Sequence, residues 1–140
     1  MESEDLVIAP REETADTAAP VVDYRHELIS SRRVEGTPVY SRDGEKLGTI
    51  HSVMIGKRTG KVAYAVLSFG GVLGLRSRVH PVPWEALTYD VDLDGYAVDM
   101  SREQLARSPS MELDDTDRPI DREYQERVNS YWGTMPWWGL

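Results

Sequence analysis

The chain has 140 residues, of which 24 are acidic and 16 basic, so its formal net charge at pH 7 is −8. With 40% hydrophobic and 29% charged residues, it has the composition of one small globular domain with tails. The excess of carboxylates argues against nucleic acid as a partner, because phosphate recognition needs clustered Lys and Arg. The absence of cysteine excludes disulfides, thiolate metal sites and a thiol nucleophile.

Residues 1–20 are predicted to be a disordered acidic tail. They combine Pro10 and Pro20 with many Glu, Asp, Ala and Thr residues, and they offer little apolar surface to bury. They lack the basic and apolar regions of a signal peptide, and no apolar run in the chain has the length of a transmembrane helix. We therefore expect a cytoplasmic protein with no segment inserted in a membrane.

The middle of the chain has the pattern of a small all-β domain. Residues 36–100 carry equal numbers of acidic and basic side chains, so the net charge comes from the two flanks. β-branched or aromatic residues flank a series of turn signals, which predicts hairpins and a small antiparallel barrel. The turn signals are Asp43-Gly44, Thr59-Gly60, Gly70-Gly71 and Asp94-Gly95.

The predicted strand at residues 61–69 is apolar on both faces. We expect it to be covered on both sides, either by barrel closure with a tail or by a second subunit. Residues 47–55 are its predicted hairpin partner. The next strand, at residues 79–84, contains Pro81 and Pro83, which lack the N–H donor of a ladder, so it is predicted to be an edge strand or a bulged one.

The predicted domain ends in a hairpin and a short helix. Residues 87–100 form the hairpin, around the last of the turn signals. Ser101, with Gln104 three residues later, has the pattern of a capping box and so predicts a helix start. The domain is therefore expected at residues 21–107, followed by an acidic linker at residues 108–120.

Residues 121–140 are predicted to be an amphipathic helix followed by an aromatic tail. Tyr124, Val128 and either Tyr131 or Trp132 recur at helical spacing. Three of the four tryptophans fall in the last ten residues, and so much aromatic surface is costly to leave in water. We expect the helix and the tail to pack on the barrel, within one subunit or across a dimer.

Four segments of the chain agree, in order and spacing, with the motifs of a known family. They are VEGTPVYSRDGEKLGTIHSV at residues 34–53, TGKVAYAVLSFGG at 59–71, VPWEAL at 82–87 and YWGTMPWW at 131–138. Together they resemble the PRC-barrel family, named for the cytoplasmic domain of the photosynthetic reaction-centre H subunit. The last segment is similar to the aromatic end of the short, stand-alone bacterial members.

The resemblance implies a six-stranded or similar antiparallel barrel that acts as a docking module. In the reaction centre, this domain caps the cytoplasmic face and influences proton delivery to the quinone. In a ribosome maturation factor, a related barrel binds a ribosomal protein. The family has no shared catalytic residues, so the resemblance implies neither an enzyme nor a cofactor.

Acidic turns are the candidate ion sites. Asp90, Asp92, Asp94 and Gly95 have the spacing of an EF-hand calcium loop, but Ser101 stands where the bidentate Glu is required. We therefore interpret this segment as a solvated hairpin tip. A second acidic cluster is interpreted as a charged linker and consists of Asp114, Asp115 and Asp117.

Catalytic and phosphate-binding patterns are absent from the sequence. His26, His51 and His80 lack the spacing of a zinc site. His80 is interpreted as a strand residue rather than a base, because no nucleophile and orienting carboxylate adjoin it. The glycine-rich run at residues 69–74 lacks the Gly-Lys-Ser/Thr of a P-loop. No catalytic, cofactor-binding or metal-binding residue is therefore predicted.

Five aromatic residues are the candidate protein-interaction residues: Trp84, Tyr131, Trp132, Trp137 and Trp138. Trp84 also fits a core anchor. The tail aromatics fit packing on their own barrel or a sister subunit, docking to another protein, or lying at a membrane interface.

The favoured hypothesis is a non-catalytic, self-associating docking or adaptor module. We expect a homodimer that binds a protein partner, including by peripheral association with a membrane complex such as the reaction centre. The alternative is a small-molecule or ion binder that uses the glycine-rich loop or the acidic turns. A hydrolytic enzyme is the third hypothesis, and no constellation of residues supports it.

Overall fold

The computed structural model describes residues 27–69, 78–117 and 120–139. The predicted tail at residues 1–20, His26 and the glycine-rich run from residue 70 onward lie outside the described residues. Within the described ranges, none of the helices combines the length and the apolar character needed to cross a bilayer.

The described residues form one sheet of seven strands, in the order β5-β6-β1-β2-β3-β4-β7. The two longest strands, β2 and β3, are paired with each other near its centre. The strands are β1 Pro38–Tyr40, β2 Lys46–Ile55, β3 Val62–Phe69, β4 Arg78–Pro83, β5 Thr88–Asp90, β6 Gly95–Ala97 and β7 Met111–Glu112.

The sheet departs from the predicted antiparallel barrel in two ways. Strands β1 and β6 pair in parallel, with Val39 opposite Tyr96. No ladder within the described residues joins β5 to β7, so the sheet is open rather than closed. Hairpin signals fix the direction of strands that are consecutive in the chain, whereas β1 and β6 meet across four intervening strands and have no local signal of direction.

The main hydrophobic core of the described residues draws on most strands of the sheet. Every strand from β1 to β4 contributes to it, together with β6 and the helix that follows β6. Its most buried members are Val39, Leu47, Ile50, Ala65, Leu67, Val82 and Leu105. Trp84 packs against this core from a single 3₁₀ turn, Trp84–Ala86, directly after β4.

Strand β3 is covered on both faces, as its apolar pattern predicts. Ala65 and Leu67 point into the main core. On the outer face, Tyr64 belongs to a second buried cluster with Val128. The cover on that side is the C-terminal helix of the same chain, so burial of β3 does not require a second subunit.

The two prolines of β4 lie where the strand has a neighbour on one side only. Pro81 pairs with Val66 and Pro83 with Tyr64 on β3. On the other side, β7 reaches only Arg78 and Val79. Residues two apart in a strand direct their nitrogens to the same edge. Pro81 and Pro83 lie beyond the end of β7, so the N–H donors that they lack remove no hydrogen bond between β4 and β7.

Three α-helices accompany the sheet, and each begins at a side-chain cap. Helix α1, Ser31–Val34, starts at Ser30. Helix α2, Arg102–Ala106, has the complete capping box of Ser101 and Gln104. Helix α3, Arg122–Trp132, starts at Asp121, whose carboxylate accepts from the Tyr124 amide, and ends at Gly133 in the left-handed conformation.

The segment between α2 and α3, residues 108–120, adds an edge to the sheet. It contains β7 and a 3₁₀ turn, Leu113–Asp117, and it was expected to be a charged linker. Arg78 binds it from β4 through a hydrogen bond from Nε to Ser110 Oγ of 2.9 Å. This contact and the β4–β7 ladder fix the beginning of the segment against β4.

Candidate docking site

The five aromatic residues singled out in the sequence lie in different environments. Trp84 packs on the main core and its ring centroid lies 5.4 Å from that of Tyr96, so it is a core residue. Tyr131 is 38% exposed, and its hydroxyl donates to the Gln104 carbonyl of α2. Trp132 packs against both buried clusters and so joins α3 to the sheet.

Trp137 is seated on the tight turn that connects β2 to β3. Gly56 lies in that turn, and a Cβ atom at this position would stand 2.8 Å from Cζ3 of Trp137. The indole Nε1 donates to Gln125 Oε1 of α3 at 2.7 Å. The tail is therefore fixed between the hairpin and the helix by one close contact and one hydrogen bond.

Trp138 lies beside Trp137 and carries an arginine on its face. The two indole centroids are 5.8 Å apart in an edge-to-face arrangement. The Arg122 guanidinium carbon lies 3.8 Å from the centroid of Trp138, which is the geometry of a cation–π contact. Packing and stacking together order both rings before any partner binds.

These contacts border a groove with a volume of about 720 Å³ between the β2–β3 hairpin and α3. Trp137 and Trp138 lie at its tail side. The hairpin side contains Met54, Ile55, Lys57, Arg58 and Tyr64, and the helix side contains Ile120, Arg122 and Gln125. We call this feature the tail groove. Of the five predicted aromatics, only Trp137 and Trp138 line it.

The tail groove is cationic in a chain that is strongly acidic. Lys57, Arg58 and Arg122 line it, and the described residues of its lining include no Asp or Glu. Within the described part of the chain, none of the three forms an ion pair with a carboxylate. The sequence analysis did not identify these cations, although Lys57 and Arg58 are adjacent bases in a predicted turn.

A buried polar network supports the inner wall of the groove. Asn129 Nδ2 donates to the Tyr64 hydroxyl at 2.7 Å and to the Gln125 carbonyl at 2.9 Å. Thr134 of the tail donates to Asn129 Oδ1 at 2.9 Å. Burial raises the pKa of Tyr64 above its ordinary value, and the bond from Asn129 opposes that rise. Tyr64 is therefore neutral and a donor at pH 7.

His80 and Ser108 form a buried pair that resembles part of a catalytic dyad. Their Nδ1 and Oγ atoms are 2.8 Å apart. Ser108 Oγ donates its own proton to the Leu105 carbonyl, so His80 Nδ1 must be the donor to Oγ. A nitrogen that already carries a proton cannot take one from Ser108. This pair is structural, and Ser108 was not anticipated from the sequence.

The acidic hairpin tip uses its carboxylates within the turn. Asp90 Oδ1 accepts from the amides of Asp92 and Leu93, and Asp94 Oδ1 accepts from the Tyr89 hydroxyl at 2.6 Å. Ser101 is the cap of α2. Across the described ranges, no group of three or more His, Asp or Glu side chains is placed to hold a metal ion.

Comparison with known proteins places most of the sheet in one family. A family model described as the PRC-barrel domain matches residues 26–105. The match includes α1, β1 to β6 and α2 as far as Leu105, and it ends before β7, α3 and the tail. A search of curated proteins finds no match. The hairpin side of the tail groove thus lies within the matched region, and the helix and tryptophan side lies beyond it.

Proposed function

The chain belongs to the PRC-barrel domain family, and from that premise we propose that it is a non-catalytic adaptor that docks a partner protein in the tail groove. The observation that carries the proposal is the arrangement of Trp137 and Trp138 at the edge of a preformed groove. Tryptophan and arginine are the residues that most often dominate the free energy of protein association.

Ordering of the groove in the free protein favours binding. Trp137 is held by Gln125 and by its contact with Gly56, and Trp138 is held by Arg122. A partner then loses less of its binding free energy to the ordering of side chains. This is the physical basis for a docking role of Trp137 and Trp138. Trp84, Tyr131 and Trp132 support it indirectly, through the core and through α3.

Self-association is the second part of the proposal, and strand β5 is the surface proposed for it. Among the described residues, β5 pairs only with β6. Val91 and Leu93, which follow it, are 78% and 40% exposed. An unpaired edge with exposed apolar side chains can add a strand from a second copy. Asp90, Asp92 and Asp94 would then approach their counterparts, so high salt should strengthen the dimer.

Light scattering tests the dimer. We expect the mass at about 100 µM protein to approach twice the chain mass of 15.8 kDa, more completely in 0.5 M than in 0.05 M salt, and Val91→Lys to lower it. A monomer at every concentration and salt level would refute self-association while leaving the docking proposal intact.

The family association adds a cellular setting to the proposal. The H subunit docks on the cytoplasmic face of a membrane complex, and we propose a similar peripheral position in the cytoplasm for this chain. Fractionation of cells that make the tagged chain tests this setting. Recovery with membranes that is lost on a salt wash supports it, and recovery only in the soluble fraction contradicts it.

Comparative capture tests the docking site itself. The immobilised full chain, Trp138→Ala and Met135→Ala are exposed to the same native lysate. Met135 is a matched control because it lies in the same tail and is 51% exposed. We expect one set of proteins to be lost with Trp138→Ala and retained with Met135→Ala. Identical sets from all three proteins would contradict docking at the tail groove.

A further inference from the structure

We propose that the occupant of the tail groove is an acidic peptide segment of a partner protein, in which carboxylates flank an aliphatic side chain. This inference rests on the proposed docking function and names the chemistry of the partner. The charge of the groove accounts for the carboxylates of the ligand. The apolar surface of the groove accounts for its aliphatic side chain.

The charge of the groove is opposite to that of the whole chain. The full sequence has eight more acidic than basic side chains. The described residues that line the groove nevertheless include Lys57, Arg58 and Arg122 and no carboxylate. Three cations that have no carboxylate partner among the described residues share one concave surface, so they attract an anionic ligand and stabilise its carboxylates.

The contact of Arg122 with Trp138 favours binding of a carboxylate by the guanidinium. Its guanidinium carbon lies 3.8 Å from the centroid of the Trp138 ring, so the cation–π contact restrains the group over that ring. Stacking uses the face of a guanidinium and leaves its N–H groups at the edge. A carboxylate can then accept two parallel hydrogen bonds from that edge.

The apolar surface of the groove accounts for the aliphatic part of the ligand. Met54, Ala63 and Ile120 line the groove between the charged positions. Ile55 is 52% exposed at its hairpin side. An aliphatic side chain inserted here removes this surface from water, which a simple anion such as phosphate cannot do.

A peptide fits these features better than a bilayer or a nucleic acid does. An extended anionic surface would also meet the acidic remainder of the chain, and repulsion acts over a Debye length of about 8 Å. Trp137 is packed on Gly56 and bonded to Gln125, so its indole is not free to enter a lipid interface. A short segment places its few charges only against Lys57, Arg58 and Arg122.

Fluorescence anisotropy tests the proposal with a labelled ten-residue peptide of alternating Glu and Leu. Its control is the same peptide with Gln in place of Glu. The protein variant is Lys57→Glu/Arg58→Glu, whose sites are exposed in the turn. The matched control is Arg32→Glu/Arg33→Glu, an equally exposed pair of bases on α1 with the same change in net charge.

We expect the wild-type chain and the α1 variant to bind the Glu peptide with dissociation constants within about twofold of each other, and the turn variant to bind at least about tenfold more weakly. The wild-type chain should bind the Gln peptide at least about tenfold more weakly than the Glu peptide. Trp138→Ala should also weaken binding of the Glu peptide, and thermal melts verify that each variant is folded.

Several outcomes would overturn the proposal. These are equal binding of the Glu and Gln peptides, equal loss in the turn and α1 variants, and binding only after removal of residues 1–20, which would identify the chain's own acidic segment as the occupant. Binding of phosphatidylserine vesicles through Lys57 and Arg58, without peptide binding, would assign the groove to a membrane.

The two proposals fail separately. If Trp138→Ala loses captured proteins while the Glu peptide never binds, the docking function stands and the acidic chemistry is wrong. If the groove variants change neither the set of captured proteins nor the binding of the Glu peptide, the docking function and the acidic chemistry are both wrong.

Discussion

Among single residues, His80 shows how this protein satisfies buried polar groups with distant partners. Its imidazole is only 6% exposed, packs edge-on against Phe69 and donates to Ser108. Burial is the main cause that lowers the pKa of His80 below its ordinary value of 6.5. The folded protein therefore holds a neutral histidine, and the unfolded chain binds a proton more readily.

This difference predicts a stability that falls in mild acid. The contribution of neutral His80 is complete above pH 6.5 and is lost as the pH falls through the lowered pKa. His80→Asn keeps a donor for Ser108 but cannot titrate, so its free energy of unfolding should change less between pH 7.5 and pH 5. Chemical denaturation at both pH values measures this, with the exposed His51→Asn as control. If the free energy of unfolding of His80→Asn changes between the two pH values as much as that of the wild-type chain, the assignment is wrong.

Gly56 is a second residue whose role depends on a distant contact. A Cβ atom at this position would lie 2.8 Å from Trp137 and 2.6 Å from Thr59 Oγ1. We predict that Gly56→Ala lowers the free energy of unfolding by displacing Trp137, and that the loss is smaller in a Trp137→Ala background. The double-mutant cycle should give a coupling of about 0.5–3 kcal/mol. Additive losses would show that the two residues do not depend on each other.

Among the elements, α3 and the tail pack together across the outer face of the sheet. Val128 buries its side chain with Tyr64 of β3. Trp132 reaches both clusters, and Trp137 reaches the β2–β3 turn. The packing of Val128, Trp132 and Trp137 against the sheet thus stabilises α3.

Removal of the residues after Ser130 should therefore be costly. Loss of a large buried aromatic side chain costs about 3–5 kcal/mol. The truncation removes three tryptophans, so at about 2–8 °C per kcal/mol the melting temperature should fall by more than about ten degrees, or the protein should aggregate. Calorimetry measures this, and the exposed Met135→Ala is the control. A soluble truncated chain with an unchanged melt, and free access of a quencher to Trp137 and Trp138, would show that the tail is a free peptide.

At the scale of the whole molecule, opposite charges are segregated. The flanks carry the net negative charge, and the tail groove gathers cations from two distant segments. Residues 1–20 contribute six acidic side chains against one basic one. They have no periodic apolar pattern, so the sequence assigns them no part in the core.

Deletion of residues 1–20 is predicted to leave the fold intact. The melting temperature should stay within a few degrees of that of the full chain, because changes outside the core alter stability by less than about 0.5 kcal/mol. Thermal melts of residues 21–140 beside the full chain measure this. A loss of the transition would show that Leu6, Val7 and Ile8 pair with an open edge of the sheet.

Features that depend on neighbours in the chain were predictable from the residues alone. Alternation and turn residues predicted the β2–β3 hairpin, and the Ser101-Gln104 spacing predicted the cap that starts α2. Helical spacing up to Trp132 predicted α3. These signals are local because they reflect hydrogen bonds within one turn or burial of one face of one element. The motif order also predicted the family, which the match at residues 26–105 confirms.

The pairing of distant segments, by contrast, is visible only in the folded chain. The tertiary structure placed β6 parallel to β1, joined His80 to Ser108, and brought Lys57 and Arg58 to the same groove as Arg122. It also covered β3 with α3 of the same chain, a choice that the apolar pattern left open. Such contacts depend on how the loops close and how the faces pack together, and no pattern of neighbouring residues records either.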